Sequence, residues 1–521
     1  MQISFRRRIL TLAIETSCDD TAVAILEKHA VPVPAGPSAT LHFNEKITSN
    51  NAAYRGVHPI ASLESHQANL ATLIQKSLAH LPDAVTSTSQ IARRPIEVFQ
   101  DGKATLKTRP DFISVTRGPG MRSNLAVGLD TAKGLSVAWQ VPLLAVHHMQ
   151  AHALTPRLVH TLNPSANNAS TQCSQPDFPF LSLLVSGGHT LLLNSTELTK
   201  HEILASTTDI AIGDALDKAA RHILPPSLLA SCQSTMYGAL LESFAFPSGS
   251  SDYSYSSISS ADSALLPPDQ YGKRTSKAYH WSFAPPLSST HGGKKASSME
   301  FCFSGLVSAV ERHTSHRYFL SPSSSSSSLS SSDPSGPGSR SSPGKVDRTP
   351  RDPNSMTAFP EEERRLMAGE VQRVAFTHLA SRILLALQQR QQQPNALVVA
   401  GGVASNHYLR HLLSTTLGGR GHADLQILFP PPALCTDNAA MIAWCGVEMW
   451  EAGWRSGLGV RPVRKWLLDD DGEWVGQRRG EEVGMGEGEV GGEGEAEGKG
   501  EGGGVLAVGG WYNVGAGDVI E

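Results

Sequence analysis

Two histidines four residues apart, His148 and His152 in HHMQAH, and one aspartate far downstream, Asp437 in CTDN, have the types and spacing to hold a metal ion. Imidazoles at i and i+4 share one face of a helical turn, so both can reach one ion. A carboxylate supplied from elsewhere completes a three-ligand site with a position left for substrate. Around these segments lie two glycine loops, Ser186-Gly187-Gly188-His189-Thr190 and Ala400-Gly401-Gly402-Val403. Glycine lets backbone N–H groups approach phosphate or carboxylate oxygens. Metal ligands with phosphate-sized loops point to chemistry on a nucleotide-like substrate. Each feature also has a plainer explanation: core or surface histidines for HxxxH, a hairpin turn for SGGHT, helix capping for Asp437. A metalloprotease helix carries the same histidine spacing but needs glutamate directly after the first, where this chain has Met149.

The hydrophobic pattern indicates what positions these groups. Residues 12–15 and 22–26 are β-rich runs around the polar turn Thr16-Ser17-Cys18-Asp19-Asp20-Thr21 and read as a hairpin. Glu15, Asp19 and Asp20 put more acid there than a hairpin needs. A third strand is expected over 41–47, and residues 59–79 carry Ile60, Leu63, Leu70 and Leu73 at helical spacing. A buried-type strand over 111–116 is broken by Arg117-Gly118-Pro119-Gly120. An amphipathic helix over 123–139, a strand over 143–146 and a helix opened by His148 follow. Residues 179–185 and 190–194 form a second hairpin around SGGHT, with another strand at 202–206. A hairpin, a further strand and helices thus occur twice, a structural duplication without sequence repetition. Strands at 396–400 and 425–428 among helices place the chain in the α/β class. AGGVASN follows the first of these and precedes a helix, where α/β folds bind nucleotides. Asp209, Asp214, Asp217 and Lys218 in TTDIAIGDALDKAAR lie on a charged helix.

A chain of 521 residues can bury a large core. Two lobes are expected, residues 1–178 with the histidines and 179–465 with the glycine loops and Asp437. Low-complexity insertions at about 247–298 and 321–355 interrupt the second, and residues 466–521 form an acidic Gly/Glu-rich tail. No run of ~18 or more apolar residues occurs, so no membrane-spanning helix is expected. Six cysteines without CxxC pairing fit a reducing compartment and argue against a disulfide scaffold. The net charge of -4 conceals a division, because residues 466–521 hold 14 acids and 3 bases. The remaining 34 acids and 41 bases leave the body at +7, compatible with a polyanionic partner. Arg6, Arg7 and Arg8, with no acid before Glu15, have presequence composition, although a strand starting near Ile9 leaves little to cleave.

In order along the chain stand LAIETSCDDTAVAIL, RGPGMRSNLAVGLDTAKGL, VHHMQAHAL, FLSLLVSGGHTLLL, IGDALDKAAR, FCFSGLVSAV, VVAGGVASNHYLR and CTDNAAMIAW. Together they resemble the tRNA N6-adenosine threonylcarbamoyltransferases, once described as O-sialoglycoprotein endopeptidases. The resemblance covers about residues 9–224, 299–320 and 361–465, and IETSCDDT looks like the bacterial and mitochondrial branch.

The resemblance implies the two-lobed fold of actin, sugar kinases and heat-shock chaperone ATPases. It implies an acyltransferase that moves threonylcarbamoyl from threonylcarbamoyl-adenylate to N6 of adenosine 37 in tRNAs reading ANN codons, releasing AMP. By motif matching His148, His152 and Asp437 would hold one iron or zinc ion. Val185, Ser186, Gly187, Gly188, His189, Asp217 and Asn406 would contact the adenylate, with Gly401 and Gly402 lining that side. Glu15 and Asp19 are the candidates for a general base. The nearest match to the family's YPGGP loop is Tyr237-Gly238, which puts a substrate contact at Gly238. Departures are His147 for the usual Asn, Ile60 for a common Glu, and Asp214 for Glu in GEAFDK. A homodimer, a mitochondrial location (cytoplasmic as the alternative) and no membrane association are expected. The competing readings are a metalloprotease and a non-catalytic nucleotide-binding partner within a tRNA-modification complex.

Overall fold

The computed structural model describes residues 8–30, 37–51, 54, 56–84, 95–100, 102–163, 175–232, 236–253, 281, 283–287, 295–317, 359–390, 393–466 and 511–513. The expected insertion at 321–355 lies outside them, as does most of the expected tail at 466–521, but within that tail Trp511–Asn513 form a strand. In order the elements are β1 (Ile9–Glu15), β2 (Asp20–Lys28), β3 (Ala39–Thr48), α1 (Pro59–Leu78), β4 (Pro95–Gln100), β5 (Lys103–Thr108), β6 (Phe112–Gly118), α2 (Arg122–Trp139) and β7 (Leu143–His147). Next come α3 (His148–Leu162), β8 (Phe180–Val185), β9 (Thr190–Ser195), β10 (His201–Thr207), α4 (Ile212–Ile223), α5 (Pro226–Ser231), α6 (Gly238–Ala245), β11 (Glu300–Phe301) and α7 (Ser304–Arg317). Then follow α8 (Glu361–Gln388), β12 (Ala396–Ala400), α9 (His407–Gly419), β13 (Gln426–Leu428), α10 (Pro432–Cys435), α11 (Ala439–Glu451), β14 (Trp454–Ser456) and β15 (Trp511–Asn513). Among the described residues, no helix is long and apolar enough to cross a membrane.

The chain splits into two compact units. The first comprises Met1–Ser206, Ile383–Ser405 and His422–Glu521, and the second Thr207–Arg382 and Asn406–Gly421. The lobe boundary expected at 178/179 falls just before β8, whereas the first unit runs on through β8 and β9.

Two sheets of the first unit share one strand order. One contains the run β3-β2-β1-β6-β7, extended by β14 and β15, and the other contains β10-β9-β8-β12-β13. In each run the first three strands pair antiparallel. The remaining two add in parallel. This repetition is the duplication read from the sequence, and it gives the mixed-sheet α/β architecture expected of the chain. The strands joined in parallel, β6, β7, β8 and β12, are wholly buried, as strands covered on both faces must be.

Side-chain alternation along β1 sorts two cores. Leu10, Leu12 and Ile14 face Leu70 and Leu73 of α1 and Leu129 of α2. Ala13 belongs to the opposite core with Met149 and Leu154 of α3 and the buried run of α11. Each fully buried aliphatic side chain contributes about 1.5–3 kcal/mol. The same alternation puts Glu15 on the α3 face, two residues beyond Ala13.

The second unit is mainly helical. Asp209 accepts from the N–H groups of Phe303 (3.0 Å) and Ser304 (2.8 Å) at the start of α7. Against burial, the hydrogen bonds it accepts, first from the Cys302 thiol at 2.9 Å, hold its pKa below the ordinary range. Part of the segment expected as an insertion at 247–298 builds core here. Phe283 is 1% exposed, and Trp281 donates from Nε1 to Glu363 at 3.0 Å.

Candidate metal centre and glycine loops

His148, the first candidate ligand, sits where β7 turns directly into α3. His147 caps this helix: its Nδ1 accepts from the N–H groups of Met149 (3.2 Å) and Gln150 (3.5 Å), while Nε2 donates to the Trp466 carbonyl at 3.2 Å. Accepting at one nitrogen and donating at the other requires a neutral ring, and burial holds its pKa well below the ordinary value. Asparagine caps helices through the same kind of acceptor, so His147 keeps the local geometry despite the departure. Met149, where a protease would carry its glutamate, is packed in the core.

His148 and His152 stack edge to face one turn apart, with ring centroids 4.7 Å apart. Their Nε2 atoms lie 3.5 and 3.0 Å from Oδ1 of Asp437. The three donor atoms all lie within 4.8 Å of one another. An ion bound at about 2.0–2.1 Å by N and O ligands sets its donors roughly 3 Å apart, so this set fits a metal. Asp437 is available because the next residue does the capping: Asn438 accepts from the Met441 N–H at 3.1 Å and opens α11.

Behind the cluster Glu15 is fully buried. Its Oε1 accepts from the Ser17 N–H at 2.5 Å, and its Oε2 accepts from the Thr116 hydroxyl and from Nδ1 of His148 at 3.1 Å. A carboxylate on Nδ1 fixes the tautomer that presents Nε2 forward. Burial disfavours charge on all three groups, yet the mutual attraction wins. His148 is raised to about 10, beside Glu15 and Asp437, and both carboxylates stay below their ordinary range. Two carboxylates, Glu15 fully buried and Asp437 a quarter exposed, favour a positive charge between them, which a protonated His148 or a bound metal ion would supply. Asp19, the other candidate base, is raised by burial and then by Asp20.

Both glycine loops belong to this unit. In the first, Ser186 Oγ accepts from the N–H groups of Gly188 (3.2 Å) and His189 (3.0 Å), following fully buried Val185. Gly187 and Gly188 are exposed, and a Cβ on either would meet open space. Burial, then the charge of His148, lowers His189 to about 4. The second loop starts at Gly401, whose φ is +99° and whose N–H donates to the Cys435 carbonyl at 3.1 Å. Gly402 lies against Thr436, the residue before Asp437.

The remaining site residues lie in the second unit. Asp217 accepts from the N–H groups of Tyr237 (2.6 Å) and Gly238 (2.9 Å). Asn406 caps α9 by accepting from the Leu409 N–H at 2.9 Å and donates to Gln372 at 2.9 Å. Burial raises Asp217 to about 6, against the pull of its two N–H donors. Folding therefore disfavours its charged form: the penalty is absent below its ordinary value of 3.8 and grows as pH rises through about 6. Asp217→Asn, which keeps the accepting oxygen, should raise the melting temperature more at about pH 7.5 than at about pH 4.5. An equal effect at both pH values would show that Asp217 does not ionise in that window.

The family model for tRNA N6-adenosine threonylcarbamoyltransferase matches residues 97–444. A mitochondrial tRNA N6-adenosine threonylcarbamoyltransferase of Schizosaccharomyces pombe is 34% identical over 468 residues, covering 89% of this chain and 87% of that one. A Nitrobacter hamburgensis enzyme of the same name is 29% identical over 467 residues, covering 88% and 96%. Among solved structures, the activator of the 2-hydroxyisocaproyl-CoA dehydratase from Clostridium difficile is similar at a TM-score of 0.34 and 12% identity, over 85% of this chain and 96% of that one. The family model and the curated relatives agree with the eight motifs read in order along the sequence, and the chain belongs to the tRNA N6-adenosine threonylcarbamoyltransferase family.

Proposed function

We propose that the chain transfers threonylcarbamoyl from threonylcarbamoyl-adenylate to N6 of adenosine 37 in tRNAs reading ANN codons. The observation that carries the site assignment is the His148–His152–Asp437 cluster, both histidines buried and Asp437 partly so, backed by Glu15. In the reaction N6 attacks the carbamoyl carbonyl carbon, the bond from that carbon to the phosphate oxygen breaks, AMP leaves and N6 loses a proton. The amine is a poor nucleophile, so the donor must be held in line with it. His148, His152 and Asp437 would hold one iron or zinc ion, which offsets negative charge on the donor's oxygens. Glu15 fixes the ring of His148 with both carboxylate oxygens already engaged, which makes it a positioning group and leaves Asp19 as the candidate base. Val185–His189 and Gly401–Gly402 take the adenylate, and Asp217, Gly238 and Asn406 contribute substrate contacts as the family resemblance implies. The protein works as a mitochondrial homodimer in this reading, supported by the mitochondrial relative for the location and by family resemblance for the dimer.

The test is a reconstituted reaction of the purified chain, unmodified ANN-decoding tRNA and threonylcarbamoyl-adenylate, with nucleosides identified by mass spectrometry. Threonylcarbamoyladenosine is expected with no other protein present, lost after chelation and restored by added metal. Product that appears only with a partner extract would overturn self-sufficiency. Its absence in both cases would overturn the transferase assignment.

A further inference from the structure

Lys46, on β3 opposite Ala22, played no part in the motif reading. Its ammonium meets three oxygens: Asp20 Oδ2 at 2.6 Å, Thr436 Oγ1 at 3.1 Å and the main-chain carbonyl of Asp437 at 3.2 Å. An ammonium has three N–H donors, and here each has an acceptor. Asp20 is itself fixed, because its Oδ1 accepts from the Thr48 hydroxyl. Exposed ion pairs contribute little, but this one is part of a three-way junction whose Asp20 side chain is only 11% exposed.

The junction meets the short connection between α10 and α11. Residues 436–438 make that connection, and on the far side the Gly401 N–H grips the carbonyl of Cys435, the last residue of α10, at 3.1 Å. Asn438 donates back to the Thr436 carbonyl at 2.8 Å. Asp437 lies between these anchors, with its carboxylate turned to the histidines and its carbonyl turned to Lys46. Releasing the carbonyl would let the peptide rotate and carry the carboxylate away from Nε2 of His152.

We propose that Lys46 is a positioning residue for the metal aspartate, tying the peptide of Asp437 to the β1–β2 turn so that the carboxylate is held ready for the ion. The inference rests on the metal reading above. Groups that orient metal ligands govern affinity, and their loss costs about 10- to 100-fold in binding.

The experiment measures Zn2+ affinity of the full chain by competition with a chromogenic chelator, and the melting temperature of the metal-free protein. Lys46→Met keeps the aliphatic stem and should weaken Zn2+ binding about 10- to 100-fold while the metal-free melting temperature stays near wild type. Thr436→Val removes one of the two loop contacts and should give a smaller loss in the same direction. Unchanged Zn2+ affinity in Lys46→Met, with or without a fall in melting temperature, overturns the proposal. If Lys46→Met does not fold, unchanged affinity in Thr436→Val overturns it. Wild type that fails to bind Zn2+, or His152→Ala that binds it as tightly as wild type, overturns the metal reading together with this one.

Discussion

His148→Ala is expected to abolish tight metal binding, to lower kcat/KM for threonylcarbamoyl transfer by roughly 1,000-fold or more, and to destabilise the fold. The first two effects follow from losing one of three ligands in a site whose charge stabilisation amounts to several kcal/mol. The third follows from Glu15. With the imidazole gone, a fully buried carboxylate keeps only the Ser17 N–H and the Thr116 hydroxyl, and breaking such a buried pair costs about 3–5 kcal/mol. The double variant Glu15→Gln/His148→Ala removes the orphaned charge, so it should regain much of the stability and none of the activity. Chemical denaturation, chelator competition and nucleoside mass spectrometry separate the three effects. Full activity in His148→Ala would remove the metal from the mechanism. Lost activity with undiminished metal binding would remove His148 from the ligand set.

This coupling shows what the sequence could and could not convey. The two histidines are legible because helical spacing alone puts them on one face, and Asp437 is legible as a carboxylate beside a helix start. The cap position is filled by Asn438 one residue on, which leaves the Asp437 carboxylate uncommitted to capping α11. Glu15 was visible as surplus acid near a turn, but its place with Ala13 on the α3 face emerges only with the packed sheet. Its partner is 133 residues away. Lys46 carried no signal, since its three acceptors come from a turn and a distant loop. His147 caps α3 locally, but the partner of its other ring nitrogen, Trp466, lies 319 residues on. The β4–β5 hairpin was missed although Asp101-Gly102 between alternating strands is a strong turn signal. Trp281 and Phe283 were hidden by the serine-rich composition around them, because composition averages over single anchoring residues.

The two glycine loops should respond to the same substitution in opposite ways. Gly401 has a left-handed φ of +99°, and a Cβ there would stand 2.4 Å from the Val185 carbonyl oxygen and 2.8 Å from its carbon. Both atoms are backbone at the end of a wholly buried strand, so neither can yield. Gly401→Ala should therefore cost about 3 kcal/mol or more in stability, combining backbone strain with overpacking. It should also weaken metal binding, because the Gly401 N–H anchors Cys435 two residues before Asp437. Gly187 differs on every count: it is exposed, its φ lies outside the left-handed region, and a Cβ would meet nothing within 4 Å. Among the described residues nothing requires glycine there, and close approach of a ligand is the reason to test. Gly187→Ala should leave stability within about 0.5 kcal/mol of wild type and raise KM for the adenylate, with metal affinity unchanged. A stable variant with an unaltered KM would mean that the loop does not approach the adenylate closely. A Gly401→Ala variant as stable as wild type would mean that β8 and the second loop can separate without cost.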